Sequence, residues 1–143
     1  MHHAQNDLTQ DDYLALDATA MAGAVRNGEL CAHALLRAAQ ARCDAVNPQV
    51  NAVNMRHDAH ALEQLKVLRD AGTAHMGALA GVPMLLKDLN TYLRGTVTTN
   101  GSRLLADAPP ATFDSTIVQR YEAAGLLIFG KTASPALLIS TST

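Results

Sequence analysis

A lysine closing an apolar run is the first residue in this chain with an evident chemical use. Gly81-Val82-Pro83-Met84-Leu85-Leu86-Lys87-Asp88 is that run, and a short apolar stretch bounded by turn residues predicts a buried strand. In open α/β sheets the ligand crevice lies outside the carboxyl ends of the strands, where Lys87 falls. Partial desolvation there disfavours the ammonium form, and a neutral amine near pH 7 serves as a base or a nucleophile. The structural alternative is a lysine that snorkels out of the strand end or pairs with Asp88. Just downstream, Thr98-Thr99-Asn100-Gly101-Ser102 is a hydroxyl-rich turn. Thr98, Thr99, Gly101 and Ser102 are pocket candidates, although such hydroxyls commonly bond their own backbone. No Ser-His-Asp or Cys-His-Asn set assembles. A serine served by Lys87 is the only nucleophile–base logic the residues offer.

Other signals carry less. Gly125-Leu-Leu-Ile-Phe-Gly130-Lys131-Thr132 matches the phosphate-loop pattern letter for letter. A phosphate loop needs a strand before its first glycine and a helix at its lysine. Here a helix precedes Gly125, strand formers fill the middle, and Pro135 interrupts the segment after Lys131. We therefore expect a glycine-flanked strand with Lys131 in a solvent-accessible turn. His57, Asp58 and His60 have helical spacing without a third well-spaced ligand, so they predict a solvated helix face and no metal site. Neither is any cofactor expected. Cys31 and Cys43 fall on one expected helix, roughly 18 Å apart, too far to bridge; we expect free thiols in a reducing compartment.

The positioning elements are set by periodicity. Residues 1–12 predict a polar lead-in, and residues 13–143 read as the N-terminal part of one domain. Asp17 caps a helix over 18–27 that stops at Asn27-Gly28. A second helix runs over 32–45 with Leu35, Leu36, Ala39 and Cys43 inward, and Pro48 forbids its continuation. Asn51 or Asn54 opens a third, with Met55, Ala59, Leu62, Leu65 and Leu68 on one face, closed by Ala71-Gly72. A linker over 73–80 leads to the Lys87 strand, with β-like pieces beyond it at 91–94 and 96–99. Asp114 caps a helix over 115–124 with Ile117, Val118, Tyr121 and Ala124 inward, and residues 126–129 form a second buried strand. Helices, then strand–helix–strand, predict an α/β fold with parallel strands. Two or three strands are fewer than the usual four to six, so the sheet reads as incomplete.

Composition narrows the function classes. The chain has 143 residues, 48% hydrophobic, with a formal net charge of −2; without a basic excess, nucleic acid and anionic membranes are not expected partners. No tryptophan, three tyrosines and two phenylalanines make a poor base-stacking platform. The N-terminus lacks a basic n-region and an apolar h-region, and no transmembrane run appears, which predicts a cytoplasmic protein.

In order and in register over about 13–143, the chain resembles the amidase signature family. The carriers are Leu79-Ala-Gly-Val-Pro-Met-Leu-Leu-Lys87-Asp88, then Gly95, Thr98-Thr99-Asn-Gly101-Ser102, Asp114, Ala123-Ala-Gly125 and Gly130-Lys131-Thr132, with Asn47-Pro48-Gln-Val-Asn51-Ala52 upstream. That resemblance implies a mixed, largely parallel sheet covered by helices, and amide hydrolysis by a serine–cis-serine–lysine triad in which Lys87 is the general base. It also implies a small-molecule amide substrate and allows a homodimer of the complete enzyme. The family's Gly-Gly-Ser-Ser-Gly-Gly-Ser stretch is absent and would lie beyond Thr143. Ser140-Thr-Ser142-Thr lacks the glycines to replace it, so this portion alone should be inactive. Where the family often has Lys-Thr-Asn-x-Pro-Glu-Phe, this chain has Lys131-Thr-Ala133-Ser-Pro-Ala136-Leu137. Two further readings stay open: the A-type component of a tRNA-dependent amidotransferase, and a truncated, non-catalytic relic or interaction module.

Overall fold

The computed structural model describes residues 8–72 and 77–139, apart from the Leu138 side chain. The histidines at positions 2 and 3, most of the lead-in, part of the 73–80 linker and the tail at 140–143 lie outside the described residues. The lead-in gives way early. Leu8 packs on the core, and α1 (Gln10–Ala15) starts at a Thr9 cap that accepts the Asp12 amide.

α2 (Ala18–Arg26) opens as expected, with the Asp17 carboxylate accepting the Ala20 amide at 2.8 Å. α3 (Ala32–Val50) outruns its expected end, and Pro48 sits inside its last turn. A proline costs a helix most in the interior. Here the turn is held from outside, because the Asn47 side chain bonds both the N–H and C=O of Val53 at 2.8 and 2.9 Å. Asn51, left-handed at φ 49°, then reverses the chain. Cys31 is the N-cap of α3 rather than a residue inside it, and both cysteines are free.

The expected third helix divides in two. Val53–Arg56 is a strand, β1, and only from Asp58 does the helix α4 (Asp58–Ala71) begin. Met55 therefore lies in the sheet and not on a helix face. Four residues are too few for a period-two signal to outweigh the helical spacing around them; pairing with a distant strand decides the matter.

β2 (Pro83–Lys87) and β3 (Leu127–Thr132) are the two expected strands; β3 is buried as expected, whereas β2 is mostly half-buried, with only Leu86 fully inside. The sheet order is β1-β3-β2, with β2 parallel and β1 antiparallel to β3. The expected strand pieces at 91–94 and 96–99 are not strands; Leu93 is fully buried as a plug. Instead the Gly95 amide donates to Ala111 O at 2.8 Å, and the Ala111 amide donates to Thr96 O at 2.9 Å, across the loop. α5 (Thr116–Ala123) uses Ser115 as its N-cap position. Asp114 does not cap it; its carboxylate accepts the Arg94 amide at 2.7 Å. Ile117 is 39% exposed rather than inward, and Val118 carries the contact.

The sheet has apolar packing on both faces. Leu127 and Phe129 join the large cluster built from α2, α3 and α4, centred on the fully buried Leu35 and Leu36. Ile128 and Leu86 face the other way, onto Leu93 and Val118, as side-chain alternation along a strand requires. Between β2 and β3 that alternation breaks. Met84 pairs with Ile128, but Leu85 pairs with Gly130. The extra residue, Phe129, is a bulge, and beyond it Lys131 pairs with Leu86 and shares its face. A Cβ on Gly130 would lie 2.4 Å from the Met55 carbonyl oxygen and 3.0 Å from Leu85 Cδ2, so only glycine fits there.

Among the described residues no helix is long and apolar enough to cross a membrane. Two substitutions test the packing by urea unfolding. Leu35→Ala should cost about 2–5 kcal/mol. Leu104→Ala, at a residue 93% exposed, should stay within about 0.5 kcal/mol.

Candidate functional site

The carboxyl ends of β2 and β3 meet the turn at 97–102. Lys87 is the last residue of β2, opposite Thr132 of β3. Its side chain is exposed, not partly desolvated. Among the described residues it has no ion-pair partner, so the expected alternative of a Lys87–Asp88 pair is not formed. Its backbone, by contrast, is well held. The Lys87 carbonyl accepts from the Leu89 amide at 2.8 Å and from the Thr91 hydroxyl, and the ladder continues through Asp88 N–H to Thr132 C=O at 3.0 Å.

Asp88 is the neighbour that turns inward. It is 0% exposed, and its carboxylate accepts from the Thr99 amide at 2.9 Å, the Thr99 hydroxyl and Asn54 Nδ2 at 3.1 Å. A buried carboxylate needs such donors. Lys131, expected in an accessible turn, is also 0% exposed and belongs to β3. The bulge places it on the Leu86 face, under the loop, where Nζ donates to Val97 O at 2.7 Å and Thr98 Oγ1 at 2.8 Å. Burial pushes its titration below the ordinary lysine value, and the nearby Asp88 charge opposes that shift in part. The buried lysine is thus Lys131, and the exposed one is Lys87.

The hydroxyl turn splits accordingly. Thr98 is buried on Lys131 and Thr99 is held by Asp88, while the Ser102 hydroxyl accepts the Leu104 amide at 3.3 Å. Thr99, Gly101 and Ser102, together with Asn51, Asn54 and Ser134, border an open cavity of about 910 Å³ at the end of the sheet. Lys87 and Thr98 do not line it. Gly101 has φ +69°, and a Cβ there would lie 2.1 Å from the Ser134 carbonyl oxygen, so the cavity wall depends on glycine. Ser134 Oγ is buried without a hydrogen-bond partner among the described residues.

Sequence reasoning does not single out Asp88, Asn54 or Lys131. For Asp88 a signal exists, since period-two alternation from the buried Leu86 places it inward. For Lys131 the signal needs β1, because only a third strand makes β3 central and covers its end.

The histidines separate as well. His60 Nε2 lies 3.1 Å from Glu122 Oε1, which also accepts from Gln64 Nε2 at 3.1 Å, so His60 ties α4 to α5 and is not simply solvated. His57 precedes α4, with its Nε2 buried and unpartnered among the described residues. No cluster of three or more metal-ligating side chains occurs among those residues. Burial holds the His57 titration below its ordinary value, with the Lys131 and His60 charges acting in the same direction. A histidine depressed in the fold binds protons more tightly when unfolded. Stability should therefore fall as pH drops below about 6.5. In thermal melts, His57→Gln should flatten that slope.

The comparisons agree on one family. The Amidase family model matches residues 34–143. The 6-aminohexanoate-cyclic-dimer hydrolase of Paenarthrobacter ureafaciens is 37% identical over 85% of this chain and 23% of its own length. The A-type component of the glutamyl-tRNA(Gln) amidotransferase of Salinispora arenicola (strain CNS-205) is 38% identical over 92% of this chain and 27% of its own. Among solved structures, a 6-aminohexanoate cyclic dimer hydrolase superposes with a TM-score of 0.78 at 34% identity, covering 92% of this chain and 25% of that one. A bacterial aryl acylamidase of the amidase signature family gives 0.78 at 27% identity over 85% and 26%. The chain spans about a quarter of the length of these relatives. The sequence, the family match and the fold together make this chain a member of the amidase signature family.

Proposed function

We propose that residues 13–143 are the lysine-bearing N-terminal part of an amide hydrolase, with Lys87 as its general base. The observation that carries this reading is the place of Lys87: the last residue of a parallel strand, on a backbone fixed from both sides. In this reading the two serines lie on sequence beyond Thr143. The bridging serine passes its proton to Lys87 Nζ and takes one from the nucleophilic serine, whose Oγ attacks the amide carbonyl. Backbone N–H groups stabilise the oxyanion. As the C–N bond breaks, the proton returns from Lys87 to the departing amine, and water then releases the acyl group as the acid. The substrate is a small amide, turned over without a metal or cofactor, in the cytoplasm. Residues 1–143 alone should not turn over amides.

A second reading has a specific observation behind it, the 38% identity to the A-type component of an amidotransferase over 92% of the chain. It keeps the same Lys87 chemistry but passes the released ammonia to a tRNA-borne acid, which requires a partner protein. Ammonia release that depends on an added partner would favour it.

In the full-length protein, Lys87→Ala should lower amide hydrolysis by about 10²–10⁴-fold, the usual contribution of a positioned base, with the melting temperature unchanged. Wild-type turnover in the folded variant would refute the assignment.

A further inference from the structure

Two buried, oppositely charged side chains grip consecutive residues of one loop directly behind Lys87. Asp88 holds Thr99 through its amide and its hydroxyl. Lys131, on the adjacent strand, holds Val97 O at 2.7 Å and Thr98 Oγ1 at 2.8 Å. Both are fully buried, so water cannot substitute for a lost partner. Asn54 of β1 adds a third anchor on the Asp88 carboxylate, tying all three strands to this corner.

We propose that Asp88 and Lys131 are a positioning pair for Lys87, an inference that rests on the amide-hydrolase reading of that residue. The connection runs through the backbone. Leu86, before Lys87, is locked in the smaller apolar cluster. Asp88, after it, is locked by its three donors and by its amide bond to Thr132 O at 3.0 Å. The residue between can only project to the opposite face, and its Cα has no freedom to pivot. Lys131 completes the lock by fixing the loop that Asp88 holds, and its position depends on the Phe129–Gly130 bulge. A lysine has four rotatable carbons beyond Cα, so a fixed root is what restricts where Nζ can reach. Proton transfer needs that reach to within a hydrogen bond. Loosening the root should therefore slow turnover while leaving substrate binding intact.

The test is steady-state kinetics of the full-length protein, corrected for the folded fraction, on Lys131→Met, Thr98→Val and Thr98→Ser, with Lys87→Ala alongside. Thr98→Val keeps the side-chain shape and removes one acceptor of Lys131; Thr98→Ser keeps that acceptor. Lys131→Met and Thr98→Val should lower kcat by about tenfold or more, as small misplacements do, with KM within about twofold, and Thr98→Ser should restore kcat. If Lys131→Met does not fold, Thr98→Val against Thr98→Ser decides alone. Wild-type kcat in Thr98→Val beside an inactive Lys87→Ala would overturn the positioning role and leave the base assignment standing. An equal loss in the Val and Ser variants, or a loss confined to KM, would overturn it too. Wild-type turnover in Lys87→Ala would remove the base reading itself.

Discussion

The placement of Lys131 in the interior is the constraint on which the rest of this structure depends. A buried lysine amine is costly unless it is hydrogen-bonded, and here its two acceptors come from a loop more than thirty residues upstream, Val97 O and Thr98 Oγ1. That bond network exists because β3 carries a bulge at Phe129, and the bulge exists without a clash because residue 130 is glycine. Two strands and an irregular loop are therefore bound to a single backbone irregularity.

The same corner explains why Lys87 and Lys131, alike in sequence setting, have opposite environments. β2 is an edge of the described sheet and β3 is its centre. A side chain ending an edge strand keeps a solvent-facing side. One ending a central strand, turned inward by a bulge, has none. Asp88 balances the buried cation at a distance while spending its own acceptors on Thr99 and Asn54. Breaking either half leaves a charge stranded in the interior, which costs more than the net worth of the intact arrangement.

Much of this is legible in the sequence. The apolar runs ending at Lys87 and Phe129, the Asp17 cap and the stops at Gly72 and Gly125 locate most elements, and the ordered motif string locates the family. The failures share a cause. β1, the reach of α3 past Pro48 and the burial of Lys131 are each decided by contacts between distant residues, Asn47 with Val53 being the nearest of them. Asp114 shows the same competition on a smaller scale: a sound capping residue is taken by the Arg94 amide instead. The Thr98–Ser102 turn is hydroxyl-rich as its sequence shows, but two of its hydroxyls serve the buried charges and not a free pocket wall.

The most direct measurement of the central claim is amine labelling of the 143-residue chain with acetic anhydride, read lysine by lysine by mass spectrometry under native and denaturing conditions. The structure predicts rapid acetylation of Lys87 in the native protein and of Lys131 only after denaturation. Equal native labelling of the two lysines would contradict the buried Lys131 anchor and, with it, the account of how this corner of the fold is held.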